Sequence, residues 1–247
     1  MKVISVPDSK IVLTVFAAIF LVLFQIFSPL YPVFQESASF LAGMKYFSLT
    51  DGAPDAPGHY FYTVALRWSS SIAGDGFEGM LLLNRLFALV SLWSVYRAAR
   101  FLHGKTAGFL AALVFVLHPF IIISAVAGDP AFASVAVYSL GAYLAIRTIR
   151  DPDPVGLFRF SLLTGIAGGF SLTAFIALLP LWTVLAYRTK DRHDPLSASV
   201  LVLLAGIALW LLPSVSAAGG LSELIRLLSN GPSWRATDIA SHIVEYA

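Results

Sequence analysis

Cysteine is absent from the 247 residues, which excludes disulfides and thiolate metal sites and leaves the redox compartment open. Charge is scarce as well. Only 12% of residues are charged, and 16 basic against 14 acidic residues leave a net charge of +2, too little excess to argue for a nucleic-acid partner. The five histidines, at 59, 103, 118, 193 and 242, show no H-x-x-x-H or H-E-x-x-H spacing, so a structural zinc site is not expected. What the chain has in abundance is apolar surface: 58% hydrophobic and 13% aromatic residues, with a mean hydropathy of +0.81. These values belong to an integral membrane protein rather than to a soluble domain.

A spanning helix needs about 20 apolar residues, because the hydrocarbon core is about 30 Å thick and each helical residue rises about 1.5 Å. Residues 11 to 35 carry no charge and follow Lys2 and Lys10. This run is longer than the apolar core of a signal peptide, and "SPLYPV" offers no small-x-small cleavage site, so it reads as a retained first span. Basic residues cluster between the later apolar segments, as Arg97, Arg100 and Lys105, then Arg147, Arg150 and Arg159, then Arg188, Lys190 and Arg192. The positive-inside rule places all of these on the cytoplasmic side. Residues 160 to 187 have basic flanks at both ends, so they are expected to form two short helices that meet near "AGGFSLTAF", with Gly168-Gly169 as the break.

The expected fold is all-α, with seven spans at about 11–30, 80–97, 106–123, 130–147, 159–172, 174–187 and 197–213. The N-terminus is expected inside and the C-terminus outside. Residues 1–213 then form the transmembrane module, with an outer segment at 31–79, and residues 214–247 an outer tail. Nine of the 14 acids fall on the outer side (Glu36, Asp51, Asp55, Asp75, Glu78, Asp129, Glu223, Asp238 and Glu245), which directs attention to that face. In the outer segment, "ESASFLAGMKYF" and "HYFYTVALRWSSSIAG" read as two interfacial helices separated by turn signals in "LTDGAPDAPG". In the tail, "GGLSELIRLLSNG" has a leucine stripe that reads as a further interfacial helix or a partner site.

A succession of motifs resembles the GT-C glycosyltransferases, the membrane class that includes lipid A aminoarabinose transferases and protein O-mannosyltransferases. The pieces are "QESASF" at 35–40, "APGHYFY" at 56–62, residues 84–120, "AGDPAFASVAVYSLGAYLAIR" at 127–147 and "GIAGGFSLTAFIALLP" at 165–180. The resemblance implies a transferase that takes a sugar from a polyprenyl-phosphate carrier on the outer face of the cytoplasmic membrane, in some members with a divalent cation. The sequence departs from the pattern at Gln35, where relatives carry an acid, and at Ala174, where they often carry lysine.

The resemblance casts Glu36 as general base or cation ligand and Asp129 as a second acid, with Arg85, His59 and Tyr60 as contacts to the donor phosphate or sugar. A carboxylate beside apolar surface suits proton transfer when its pKa is raised, and a lipid phosphate suits a guanidinium. Each residue also has a plainer reading. Glu36 fits the first turn of a helix, and Asp129 before Pro130 fits a helix start. Arg85 fits a snorkelling cation and His59 and Tyr60 fit interface anchors. A second functional class follows from the departures and from the chain length: a non-catalytic GT-C-derived subunit or scaffold partnered by other membrane proteins. A transporter, the third class weighed, lacks paired internal repeats and a midplane charge cluster.

Overall fold

A computed structural model of the chain describes residues 9–54, 59–151, 154–188 and 193–230. Lys2, Asp55, Lys190, Arg192, Asp238 and Glu245 lie outside the described residues. The described residues form eleven helices: α1 (Ser9–Phe27), α2 (Gln35–Lys45), α3 (Tyr60–Ala73), α4 (Gly76–His103), α5 (Lys105–Leu117), α6 (Pro119–Val126), α7 (Phe132–Arg150), α8 (Pro154–Phe170), α9 (Leu172–Arg188), α10 (His193–Ala217) and α11 (Leu221–Asn230). No named strand occurs among them; one isolated bridge pairs Ser48 with Ala53 in the turn after α2.

Four helices are long and apolar enough to cross a membrane by themselves: α1, α4, α7 and α10. The expected third span is instead two helices, α5 and α6, bent by 58°. Pro119 occupies the first turn of α6, so its missing N–H and fixed φ end α5 at the preceding His118. Counted as one broken span, α5 and α6 bring the number of helices long and apolar enough to cross to five. The other two expected spans, α8 and α9, have 17 residues each, about 26 Å of helix, and fall below the length of a full perpendicular crossing.

These two short helices fold back on one another. Trp182 Nε1 in α9 donates to Ser161 Oγ in α8 at 2.7 Å, which brings together points ten residues before and eleven residues after Ser171. The expected break at Gly168-Gly169 is displaced to Ser171. The two glycines serve packing instead: a Cβ on Gly168 would meet the Trp210 indole at 2.3 Å, and one on Gly169 would meet the Phe61 ring at 2.2 Å. Ser171 is where the chain turns, and its hydroxyl accepts from Ser134 Oγ at 2.7 Å and from Ala174 N at 3.3 Å.

Helix α4 is the hub. Its buried Ala88, Leu92 and Tyr96 pack with Phe16, Phe20 and Phe24 of α1, Phe115 and Val116 of α5, and Phe132 of α7. Nearer its N-terminus, Phe77, Met80, Leu81 and Leu83 pack with Tyr62 and Leu66 of α3 and Phe40 of α2. Helix α3 joins α4 through Gly74, at φ +82°, and Asp75, whose Oδ1 accepts from Phe77 N at 2.8 Å and Glu78 N at 3.1 Å. Such a cap satisfies two of the orphan donors of the helix start. Arg67 of α3 reaches the C-terminal carbonyls of α2, donating from Nε to Met44 O at 2.6 Å and from Nη2 to Gly43 O at 3.3 Å. The last helix pair also differs from expectation: α10 continues through Pro213 to Ala217, so the 213/214 boundary falls inside a helix. Beyond it, α11 rests Leu224 against Leu49 and Ala218.

Candidate functional site

The site is built where the turn between α6 and α7 meets the starts of α2, α3 and α4. After α6 the chain reverses at Gly128, whose φ of +72° favours glycine and where a Cβ would press within 3.2 Å of the Phe77 ring. Two side chains hold this turn from outside. Ser37 Oγ in α2 donates to Gly128 O at 3.0 Å, and Asn84 Nδ2 in α4 donates to Asp129 O at 3.0 Å and to Ser124 O at 3.4 Å. The first of these bonds brings the neighbourhoods of Glu36 and Asp129 together, because each acid is next in sequence to one of its partners.

The Asp129 carboxylate is partly occupied. Its Oδ1 accepts from Ala131 N at 2.9 Å, an Asx-type turn, and α7 starts at Phe132 rather than at Pro130. Burial raises the pKa of Asp129, while hydrogen bonds from the Ala131 amide and the Ser124 hydroxyl pull it down. Glu36, in the first turn of α2, is exposed. Sequence reasoning missed Tyr62. Its hydroxyl is pushed upward in pKa by burial and then by the negative charge of Asp129, which places it within electrostatic reach of the acid.

His59 begins α3 with a left-handed backbone, φ +39°, and its ring centroid lies 5.5 Å from that of Phe40. Desolvation lowers its pKa to about 4, so the imidazole is neutral at pH 7. Tyr60 joins an aromatic row with Phe47, at 5.5 Å, and Phe61, at 5.8 Å. Arg85 faces α1. Its Nη2 donates to Ser28 Oγ at 3.3 Å, its guanidinium lies 5.8 Å from the Phe24 centroid, and it makes no ion pair among the described residues.

Four of these side chains share one property. His59 Nδ1, Tyr62 Oη, Asn84 Oδ1 and Arg85 Nε are enclosed polar atoms with no hydrogen-bond partner, as are Ser94 Oγ in α4 and Thr164 Oγ1 in α8. An unpaired buried polar group costs about 1–3 kcal/mol, so each of these atoms is a place where water or a ligand can complete the bonding. Signals for Asn84 and Tyr62 were weak in the sequence: a lone amide in an apolar span and one tyrosine among many aromatics. A divalent cation would find little here, since no group of three or more His, Cys, Asp or Glu side chains able to hold a metal occurs among the described residues. The described residues do not make a resident metal centre.

Ala174, where the resemblance leads one to expect lysine, is completely buried among residues of α7, α8 and α9. No curated protein and no solved structure matches the chain. A family model does match, across residues 55–216, covering His59, Tyr60, Tyr62, Asn84, Arg85 and Asp129 but not Glu36. With an all-helical membrane architecture of GT-C type and a match over well over half of its length, the chain belongs to the dolichyl-phosphate-mannose-protein mannosyltransferase family.

Proposed function

We propose that the protein transfers a sugar from a polyprenyl-phosphate carrier to an acceptor hydroxyl at the outer face of the cytoplasmic membrane. The observation that carries this reading is the Ser37–Gly128 hydrogen bond, which brings the neighbourhoods of Glu36 and Asp129 together at the start of α2, in a chain whose residues 55–216 match the mannosyltransferase family. In the reaction, Glu36 takes the proton of the acceptor hydroxyl, the acceptor oxygen bonds to the anomeric carbon, and the bond from that carbon to the phosphate oxygen breaks. The phosphate leaves on its lipid with the bonding electron pair, and Arg85, without a carboxylate partner among the described residues, balances the charge that develops there. Asp129, held by Ala131 and Asn84, is the second acid and orients the acceptor. Tyr62 and Asn84 supply hydrogen bonds to sugar hydroxyls, and His59 does so as a neutral imidazole.

The topology of this reading has seven passes, counting α5 with α6 as one and α8 and α9 as one each, with the N-terminus inside and the C-terminus outside. A second reading, a non-catalytic subunit of a larger membrane complex, draws on the Asx turn of Asp129 and the exposure of Glu36, which give both acids plain structural roles. Native mass spectrometry of the protein with added polyprenyl phosphate separates the two. The transferase reading expects a bound lipid-phosphate mass that falls at least about tenfold, the value of one lost charge-assisted contact, in Arg85→Ala. Equal retention by wild type and variant, or none by either, contradicts it.

A further inference from the structure

At the end of the bundle remote from the candidate site, five cations gather on α4, α5 and α7: Arg97, Arg100, Lys105, Arg147 and Arg150. Helices α4 and α7 run parallel, since Asn84 near the start of α4 bonds Asp129 just before α7, whereas Arg150 at the end of α7 bonds the end of α4. The cations differ in how they are used. Arg150 donates to Phe101 O at 2.6 Å and Leu102 O at 3.5 Å, completing carbonyls that the end of α4 leaves open. Arg100 donates to its own helix neighbour Tyr96 Oη at 3.3 Å, where Gly108 of α5 lies close against it.

Arg97 and Arg147 are left exposed and without a carboxylate partner among the described residues. Arg97 lies 5.8 Å from the Trp93 ring and 5.9 Å from the Tyr143 ring, and these rings meet edge to face at 5.2 Å across the seam between α4 and α7. Arg147 stands one helical turn beyond Tyr143. Leading up to this pair is an exposed apolar lane on α4, Leu86, Val90 and Trp93, at 41%, 39% and 40% exposure, spaced so that Arg97 is its next member. Arg97 Nη2 also donates to Tyr143 Oη at 3.5 Å, so a chain lane that ends in two guanidinium groups with no carboxylate partner among the described residues has the layout of a lipid with an anionic head. Two exposed arginines at membrane level, each with a planar fork of donors, match one phosphate better than they match water.

We propose that Arg97 and Arg147 form a binding site for an anionic phospholipid on the membrane face opposite the candidate transfer site, with its acyl chain along Leu86, Val90 and Trp93. Retention of phosphatidylglycerol and phosphatidylcholine by the full chain, released from nanodiscs holding equal amounts of each, is to be measured by native mass spectrometry. The comparison is among wild type, Arg97→Gln/Arg147→Gln and the control Arg159→Gln/Arg188→Gln, which removes the same charge from α8 and α9. The site predicts a phosphatidylglycerol preference that drops roughly thirtyfold in the first double variant, as two lost surface arginines would give, and persists in the control. Equal drops in both double variants would reduce the effect to diffuse charge, and no preference in wild type would remove the site altogether. Displacement of the lipid by millimolar inorganic phosphate would overturn the lipid as the ligand. If the glutamine pair does not fold, Arg97→Lys/Arg147→Lys replaces it; the site then predicts a smaller but measurable drop, because lysine keeps the charge and loses the fork, and an unchanged preference contradicts it.

Discussion

His59 holds its Nδ1 in an enclosure with no partner, and burial lowers its pKa from an ordinary 6.5 to about 4. The sign of the linkage follows from proton counting. Between these values the unfolded chain binds a proton that the folded chain refuses, so stability is full above about pH 6.5 and is lost as pH falls toward about 4. Thermal unfolding in detergent should therefore show a decrease in Tm over this window that is diminished in His59→Phe; an identical pH profile in the variant contradicts the enclosure. At this scale the sequence was partly legible. The "GDP" turn and the lone charge of Arg85 in an apolar run stood out, because polar groups in such runs are costly and few. The value of Tyr62 and Asn84 was hidden, because it depends on the α6–α7 turn being folded against α4, a contact between residues 45 positions apart.

Helices α8 and α10 approach backbone to backbone. A Cβ on Gly165 would come within 2.6 Å of Leu203 O, and one on Gly206 within 2.9 Å of Gly165 C, so both glycines are needed for the backbones to touch. Trp210 Nε1 donates to Gly165 O at 2.9 Å and fixes the register of this crossing. Replacing Gly206 by Leu should destabilise the protein by at least about 3 kcal/mol, the upper range for overpacking, because backbone rather than a flexible side chain stands in the way. A thermal shift series with Gly206→Ala, expected to be intermediate, checks this; an unchanged Tm in Gly206→Leu would show that α10 does not cross α8 there. The long apolar helices α1, α4, α7 and α10 were legible from apolar runs and the basic clusters that punctuate them. The points of bending were not. A glycine pair reads as flexibility in one dimension, whereas here it makes room for Trp210 and Phe61 while Ser171, able to tie its own hydroxyl to Ala174 N and Ser134, takes the turn.

For the whole molecule, the absence of cysteine turns topology into a direct experiment. Single cysteines at Thr106, Arg159 and Arg188 should be labelled by a membrane-impermeant maleimide from one side of oriented vesicles, and cysteines at Asp51, Asp75 and Ser222 from the other. Labelling of Arg159→Cys and Arg188→Cys from opposite sides would mean that α8 and α9 do not form a hairpin within one leaflet-to-leaflet passage and return. The measurement that bears most directly on the account is turnover: release of polyprenyl phosphate from a polyprenyl-phosphate sugar by the purified protein in lipid, with and without added hydroxyl acceptors. The account predicts acceptor-dependent release that falls about 10²–10⁴-fold in Glu36→Gln, the range for a lost general base, with lipid binding kept. Release that is unaffected by Glu36→Gln, or a wild-type protein that binds the carrier and never cleaves it in the presence of any acceptor, would contradict it.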